Sequence, residues 1–384
     1  MTRDDIARRR LRNQRLTGAP FASAVDAVRW LGAVQAQDYA GAKWAVGQRV
    51  RGGTDADVEA ACDRGDILRT HVMRPTWHFV VPTDIRWMLA LTAPQVKARM
   101  ATYDRQLGLD GATYARTNAV LARALEGGRH LTRDELGKTL ARAGIACSGQ
   151  RLGHVMMRAE LDAVICSGAR RGKQFTYALL DERVAPVPPI TRDEALAALV
   201  RRYFASHGPA QLADFAWWSG LTVTAAKAGV AMLAGDLVHA DVDGKRYWLA
   251  PSRTPPKLAT PVVHLLPNYD ELLIAYKDRD SSVDPALTRA LGPRDIAFAN
   301  HLVAIDGVVV GGWRRVPGTR AMVVAPTFLR ALSPAEKAVL ARACEAYGSY
   351  LALPVTMAAP RRAVAKARSV PNVSSTGRAR ARAR

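Results

Sequence analysis

Two glutamines one residue apart are the residues of this sequence whose spacing first suggests chemistry. Gln35 and Gln37 flank Ala36 in the stretch Val-Gln-Ala-Gln-Asp at residues 34–38. Each side-chain amide offers a carbonyl acceptor and an NH2 donor, so two amides together can fix a water molecule or the edge of a base without adding charge. The alternative is that the pair belongs to a polar loop without a chemical function.

Both amides can serve one site only if the backbone between them is extended. Apolar residues at helical spacing run from Phe21 to Val34 and predict a helix that ends near Gln35. In a continuing helix, residues two apart diverge by about 200°. In an extended segment, alternate side chains lie on the same side. We therefore expect an extended segment from Gln35 to Gln37.

A second group of polar side chains lies on two predicted strands. Residues 67–74 and 76–81 have strand composition on either side of Pro75, and they follow a predicted helix over residues 55–64. Helices followed by paired strands are the order of a winged helix. If these strands pack beside the glutamines, their polar side chains would form the wall of a pocket and are candidate DNA-binding residues; these are Arg69, His71, Arg74 and His78. The alternative for the two histidines is a structural or solvent-facing position.

The charge of the chain favours a polyanionic partner. Its 384 residues include 55 Lys and Arg against 34 Asp and Glu, a net charge of +21. Eight of the basic residues lie among the last 24, and +13 remains on the body without them. Because the sequence contains no long uncharged apolar run and no basic amphipathic anchor, nucleic acid is expected before membrane. The alternative is a basic protein without such a partner.

The cysteines and the N-terminal residues indicate the cellular compartment in which the protein is expected. Cys62, Cys147, Cys166 and Cys344 are scattered without a CxxC pair, so we expect neither a metal site nor a disulfide framework. The first ten residues have acids beside bases and no apolar core, which is not the pattern of a signal peptide. We expect a cytoplasmic protein that needs no cofactor.

The winged-helix order recurs in the middle of the chain. Thr132 and Glu135 form a capping box that opens a helix to Ala143. A second helix is expected from Ser148 to Leu161, and a strand, a basic loop and a strand follow it. The helix carries candidate DNA-binding residues on one face, namely Arg151, His154 and Arg158, and the loop carries Arg170, Arg171 and Lys173. The alternative is a solvated helix face and a charged hairpin turn.

A third copy and a β-rich region complete the predicted fold. Three helices between residues 191 and 233 precede a hairpin around Asp243-Gly244, which is acidic and is expected to pack against its neighbours. We predict an α+β chain with three tandem winged-helix domains at residues 1–105, 106–185 and 190–254. A β-rich C-terminal module at 255–357 and a disordered basic tail at 358–384 follow them.

Four separated motifs resemble the winged-helix DNA glycosylases of the AlkZ-like group. They are QAQD at 35–38, RTHVMRPTWH at 69–78, HGPA at 207–210 with DFAWWSGL at 214–221, and LPNYDE at 266–271. The resemblance covers roughly residues 5–357. It implies a concave DNA-binding surface and excision of alkylated purines, including interstrand crosslinks. Gln35 and Gln37 match the family's catalytic Gln-x-Gln motif, and Gln37 distinguishes this chain from a sister group with Asp at that position.

The resemblance and the residues together lead to a hypothesis and two alternatives. We expect a monomeric, monofunctional DNA glycosylase that acts on N7- or N3-alkylated purines in double-stranded DNA, with Gln35 and Gln37 positioning a water and stabilising the sugar cation. One alternative is a winged-helix transcriptional regulator, since glutamine also reads adenine in the major groove. No heptad or dimer helix is visible in the sequence, which argues against it. The other is a noncatalytic lesion sensor.

Overall fold

Capped helices open the chain, of which the computed structural model describes residues 1–251, 260–291, 301–317 and 321–362. Thr2 caps helix α1 (Arg3–Asn13), and Ser23 caps helix α2 (Ala24–Leu31). α2 ends at Gly32, which has a φ of 82° that a residue with a side chain rarely adopts. The helix predicted to end near Gln35 therefore ends earlier, which leaves room for an extended segment before the glutamines.

A three-stranded sheet carries the first glutamine. Strand β1 (Val34–Gln35) precedes helix α3 (Tyr39–Gly47), which was absent from the predicted elements. Helix α4 (Asp55–Arg64) follows and ends at Gly65 as predicted. Strands β2 (Leu68–His71) and β3 (Trp77–Val80) complete an antiparallel sheet in the order β1-β3-β2. The strand with Gln35 is thus a direct neighbour of the strand with His78.

Two long helices lead into the second unit of the chain. Helix α5 (Pro82–Gln106) begins with a proline at its first turn, and helix α6 (Gly111–Leu125) follows; neither was predicted. Thr132 and Glu135 form the predicted capping box. The elements of this unit are β4 (Leu131–Thr132), α7 (Arg133–Arg142), α8 (Gly149–Leu161), β5 (Ile165–Ser167), β6 (Thr176–Leu179) and α9 (Leu180–Arg183), with sheet order β4-β6-β5.

The third unit consists of three helices and a two-stranded hairpin. Its elements are α10 (Arg192–Ser206), α11 (Leu212–Ser219), α12 (Val223–Met232), β7 (Val238–Val242) and β8 (Lys245–Leu249). The hairpin contacts the rest of the protein through ion pairs: Arg3 lies 2.6 Å from Asp243, and Lys245 lies 2.5 Å from Asp278. The acidic hairpin therefore packs against its neighbours, as its composition suggested.

A six-stranded sheet forms the core of the C-terminal region. Its main path is β9-β10-β11-β12-β13, and β14 pairs with β12. The elements are β9 (Val263–Leu266), α13 (Glu271–Ile274), α14 (Pro285–Leu291), β10 (Leu302–Ile305), β11 (Val308–Pro317), β12 (Met322–Phe328), α15 (Pro334–Leu351), β13 (Val355–Met357) and β14 (Arg361–Arg362). Most of the predicted basic tail, residues 363–384, lies outside the described residues.

The apolar cores do not follow the predicted domain borders. One cluster combines β2, β3 and α5 with α10, α11 and α12 of the third unit. Another combines α2, α3 and α4 with the C-terminal sheet and α15. The second unit also has a core of its own. The division into three winged-helix domains and a module stays a prediction, whereas the mixed α+β architecture is observed. No helix in the described ranges is long and apolar enough to cross a membrane.

A buried ion pair joins the first unit to the C-terminal region. Arg49, which is fully buried, donates from Nη1 and Nη2 to the two carboxylate oxygens of Asp270, both at 2.9 Å. The same guanidinium donates to the backbone oxygens of Ala45 and Gln14. All the charge is paired and hydrogen-bonded, which is the condition under which a buried ion pair is tolerated.

Replacing Arg49 with methionine should therefore destabilise the protein strongly. The substitution leaves the Asp270 carboxylate buried without its partner, and we expect a loss of about 3–5 kcal/mol in the free energy of unfolding. Urea denaturation at pH 7.5 measures this. Arg64→Met is the matched control, since Arg64 pairs with Asp66 at the surface and exposed pairs contribute at most about 1 kcal/mol. Equal losses in both variants would contradict the importance of the buried pair.

Candidate functional site

The backbone around Gln35 is held on both edges of β1. Gln35 pairs with His78 across the sheet, and the N–H of Ala36 donates to the carbonyl of Trp77 at 2.7 Å. On the other side, the Gln35 N–H donates to Oε1 of Glu271 at 2.9 Å. Arg69 Nε donates to the carbonyl of Ala36 at 3.0 Å. The extended conformation that the two glutamines require is therefore present up to Ala36 and is fixed by hydrogen bonds.

The chain bends immediately after this strand. Gln37 lies in the bend, and Asp38 is the N-cap of α3, where its Oδ1 accepts from the N–H of Gly41 at 3.1 Å. Asp38 thus has a structural function at a helix start, which a sequence pattern of two amides followed by an acid does not reveal. Gln37 is the residue immediately before that N-cap.

The two glutamines differ in their surroundings. Gln35 is 5% exposed, and its Oε1 accepts from Arg74 Nη2 at 2.6 Å. A guanidinium group only donates, so this contact fixes the amide oxygen toward Arg74 and leaves the NH2 group for another partner. Gln37 is exposed, and its amide makes no hydrogen bond to any described residue. One amide is held and the other is free to meet a ligand.

A row of polar side chains crosses the sheet behind Gln35. His78 lies opposite Gln35 on one side and opposite Thr70 on the other, so the three side chains share one face. Neither ring nitrogen of His78 nor the hydroxyl of Thr70 has a hydrogen-bond partner among the described residues. Burial, reinforced by the charge of Arg74, holds the pKa of His78 well below its usual range. His78 is therefore a neutral, fully buried neighbour of Gln35.

His71 faces the second unit of the chain instead. Its Nδ1 is hydrogen-bonded to Oε2 of Glu160 on α8, and its ring lies 4.5 Å from the ring of Trp77. Both partners of this contact are buried. His71 thus connects β2 to the second unit, and neither predicted histidine is presented to solvent.

Arg69 lies between two aromatic rings. Its Cζ is 4.3 Å from the ring centroid of Trp77 and 4.6 Å from that of Phe175, which is 37% exposed. The Cζ of Arg170 lies 5.0 Å from the ring centroid of Tyr39 and 5.0 Å from that of Phe175. Guanidinium groups stack favourably on aromatic faces. The hairpin of the second unit is thereby brought against β2 and the start of α3.

The predicted recognition-helix residues bind other parts of the protein: Arg151 and His154 contact the end of α5 and the loop after it, and Arg158 pairs with the C-cap of its own helix. Arg151 Nη1 donates to the Gly108 carbonyl at 3.2 Å, His154 Nδ1 lies 2.7 Å from Asp104, and Arg158 Nε donates to Asp162 at 2.9 Å. All three are half-buried rather than exposed, because the unpredicted α5 ends against α8. The structure does not bring them to the glutamines, and their contact with DNA stays a prediction.

The three basic residues of the loop in the second unit differ in their exposure and partners. Arg170 Nη1 pairs with Glu59 of α4 at 3.0 Å, and Arg171 pairs with Glu135 at 2.6 Å. Arg171 and Lys173 remain exposed at the tip. Only these two of the three predicted loop residues are placed where a duplex could reach them without displacing packed side chains.

Glu271 is a site residue that the sequence did not identify. Its carboxylate accepts from the Gln35 N–H through Oε1 and from Trp218 Nε1 at 3.0 Å through Oε2, which also lies 3.4 Å from His207 Nε2. Glu271 is fully buried. In the sequence, an acid in a segment between apolar runs indicates a buried carboxylate, which requires hydrogen-bond donors around it. The donors are distant in sequence, so the sequence does not identify which residues they are.

Comparisons with known proteins agree with this architecture. A family model described as DNA glycosylase AlkZ-like matches residues 28–350. A curated Streptomyces sahachiroi protein named "Interstrand DNA cross-link repair glycosylase" is 27% identical over 335 residues, which cover 83% of this chain and 88% of that protein. The solved structure of Streptomyces sahachiroi DNA glycosylase AlkZ has the same fold, with a TM-score of 0.75 at 22% identity, covering 93% of this chain and 100% of that one.

The buried, neutral His78 should make stability depend on pH. In the unfolded chain a histidine takes up a proton below about pH 6.5. In the folded protein the pKa of His78 is lower, so only the unfolded state gains the proton and stability falls as pH decreases below that value. Between pH 7.5 and 5.5, His78→Gln should lose less free energy of unfolding than wild type, by about 1.4 kcal/mol.

Urea denaturation at the two pH values measures the difference between the two proteins. Other buried histidines, such as His207 and His264, also have lowered pKa values, but they are common to both proteins and cancel. An identical pH dependence in wild type and His78→Gln would mean that His78 is protonated in the folded state.

Proposed function

The chain belongs to the AlkZ-like family of DNA glycosylases, and from this membership we propose that it hydrolyses the N-glycosidic bond of N7- and N3-alkylated purines in double-stranded DNA. The observation that carries this proposal is the exposed Gln37 amide at the end of a strand whose backbone is clamped on both edges. A rigid strand and a free amide are what a water-positioning group requires.

The chemistry of alkylated purines suits neutral amides. Hydrolysis of a glycosidic bond passes through an oxocarbenium-like sugar, and enzymes that cleave stable bonds supply an acid for the leaving group and a carboxylate for the water. An N7-alkylated guanine already carries positive charge and leaves without an acid. An amide oxygen can then orient the water and place partial negative charge beside the developing cation. Because amides are poor general bases, unmodified purines should be excised negligibly.

The two glutamines are assigned different functions. The Oε1 of Gln35 is engaged by the positive charge of Arg74 at 2.6 Å, which reduces its ability to stabilise a second cation. We assign to Gln37 the contact with the attacking water and the sugar. Gln35 positions the strand and presents its NH2 group to the substrate. Arg74 holds the side chain of Gln35, Arg69 holds the carbonyl of Ala36, and His78 lies beside Gln35 in the sheet. His71 connects β2 to the second unit.

Contact with the duplex is proposed for the exposed basic residues around this segment. Arg171 and Lys173 at the tip of the second hairpin are the predicted residues best placed to reach phosphates. Gln37 is itself exposed, and Phe175, which lies against Arg69, is 37% exposed. An open site of this kind supports bulky substrates. We propose that purines in interstrand crosslinks are among them, since the Streptomyces sahachiroi relative is named an interstrand DNA cross-link repair glycosylase.

The reaction is proposed to leave an abasic site. A bifunctional glycosylase uses an unprotonated amine to form a Schiff base. Lys43, which lies near Tyr39 on α3, donates from Nζ to Asp55 at 2.7 Å and to Glu59 at 2.6 Å. Both contacts hold the amine inside the protein, where its side chain is 7% exposed, so it is not available to attack the sugar.

Substituting the two glutamines separately tests this assignment. The substrate is a duplex with a single N7-methylguanine, and alkali with heat converts the abasic product into a strand break. Gln37→Ala should lower the single-turnover excision rate by about 100-fold, because an interaction made in the transition state is removed. Gln35→Ala should lower it less, because Glu271 and Arg69 still hold the backbone of the strand.

A matched control is Gln106→Ala, which removes an exposed glutamine at the end of α5 and should leave the rate unchanged. Wild-type rates in both Gln35→Ala and Gln37→Ala would sink the proposed catalytic motif. A larger loss in Gln35→Ala than in Gln37→Ala would reverse the assignment of the two amides.

Borohydride trapping tests the monofunctional mechanism. With wild-type protein and the same duplex, we expect excision without a covalent protein–DNA adduct, because the mechanism forms no imine. A bifunctional glycosylase treated in parallel provides the positive control. A trapped adduct that disappears in Lys43→Met would contradict the proposal and identify the amine.

A further inference from the structure

Two arginines lie against Trp217 beside the glutamine strand, and a third is bound at the end of the helix that carries Trp217. Arg74 follows β2, Arg99 lies on α5, and Arg279 follows α13, so three separate parts of the chain contribute to the group. We call Arg74, Arg99 and Arg279 the arginine cluster. Arg99 is exposed and the other two are half-buried, so the cluster can be reached from solvent.

Trp217 is the platform of the arginine cluster. The Cζ of Arg74 lies 6.0 Å from its ring centroid and that of Arg279 lies 5.6 Å from it. The indole Nε1 donates to the carbonyl of Ile274 at 2.9 Å, which fixes the ring. Arg99 Nη2 donates at 2.7 Å to the carbonyl of Gly220, three residues after Trp217 at the end of α11. Two guanidinium groups are thus held against one fixed ring, and the third is held at the end of the same helix.

The arginine cluster lacks direct carboxylate partners. Its members donate to neutral oxygens, namely Gln35 Oε1, the Gly220 carbonyl and the Leu273 carbonyl, and within the described residues none forms an ion pair. The nearby acids have other partners. Glu271 binds the Gln35 N–H and Trp218, Asp278 pairs with Lys245, and the buried Asp214 accepts from the N–H groups of Lys277 and Asp278.

The charges within the arginine cluster oppose one another. Burial lowers the pKa of Arg74 to about 10; Glu271 counteracts this effect, whereas Arg279 and Arg99 add to it. Nη2 of Arg279 is buried without a hydrogen-bond partner among the described residues, and so is Nε of Arg74. Unused donors on mutually repelling cations are the features of an anion site. Arg74 also places this site next to Gln35.

We propose that the arginine cluster binds a phosphodiester group of the DNA strand that carries the damaged purine. The inference rests on the proposed function, since every nucleotide to be excised is flanked by two phosphates close to its sugar. A bound phosphate offsets the repulsion among the arginines, and the exposed Arg99 is placed to donate to it. Because Arg74 also holds Gln35, binding of the strand and orientation of the amide are coupled through one guanidinium.

The salt dependence of DNA binding tests the proposal independently of excision. The probe is a labelled duplex with a tetrahydrofuran abasic analogue, and fluorescence anisotropy gives its affinity at several KCl concentrations. Arg99→Gln and Arg279→Gln should each lower the slope of log affinity against log salt by about one, because one phosphate contact releases about one counterion. Arg246→Gln, which removes an exposed arginine of the third hairpin paired with Asp241, is the matched control and should keep more of the wild-type slope.

Single methylphosphonates, which remove the charge of one phosphate, locate the contact. At one position beside the abasic analogue, the substitution should weaken binding by wild type severalfold and have little further effect on Arg279→Gln. Thermal denaturation verifies that each variant is folded, and the exposed Arg99 provides a readout if Arg279→Gln does not fold. Wild-type slopes in both folded variants, or equal methylphosphonate effects in variant and wild type at every position, overturn the proposal.

The excision assay distinguishes this outcome from failure of the proposed function. If wild type does not release N7-methylguanine but the binding results are as expected, the phosphate site stands and the catalytic proposal fails. If wild type excises the base while both arginine variants retain the wild-type salt slope, the catalytic proposal stands and the phosphate site fails.

Discussion

A single buried carboxylate, that of Glu271, is shared by three parts of the chain that are distant in sequence. It accepts from the backbone of Gln35 and from the indole of Trp218, and it lies beside the ring of His207. A carboxylate removed from water is costly unless donors surround it. The requirement to satisfy Glu271 therefore brings β1, α11 and the residue after α10 to one point. The position of the glutamine strand is a consequence of that requirement.

Much of the fold follows from local sequence signals. The capping boxes at Thr54 and Thr132, the end of α4 at Gly65 and the hairpin turn at Asp243-Gly244 depend on residues within a few positions of one another. The helices α3 and α5 were not predicted. Most residues of α3 are buried, so it has no polar face, and α5 contains Pro94 within an otherwise regular helix. Helices stabilised mainly by tertiary packing lack the periodicity that identifies an amphipathic helix.

The candidate site was predictable only where it depends on residues close together in the sequence. The spacing of Gln35 and Gln37 identifies them as candidates, and the extended backbone expected between them is present up to Ala36, whereas Gln37 lies in a bend. The difference between them could not be deduced, since it depends on Arg74 reaching Gln35 across the sheet. Arg151, His154 and Arg158 do share a helix face as predicted, but the sequence does not reveal that α5 and its loop cover that face. Long-range partners decide which polar residue is structural and which is available to a substrate.

The sharing of partners between the ends of the chain also has a consequence for synthesis. Arg10 of α1 donates to Pro209 and Ser282, and Arg49 is neutralised by Asp270. These arginines leave the ribosome long before the residues that accept from them. A nascent chain of about 200 residues would thus contain both glutamines but neither Glu271 nor Asp270, and it could not assemble the site. The protein would become able to act on DNA only late in translation, after the C-terminal sheet has emerged and packed against the N-terminal helices.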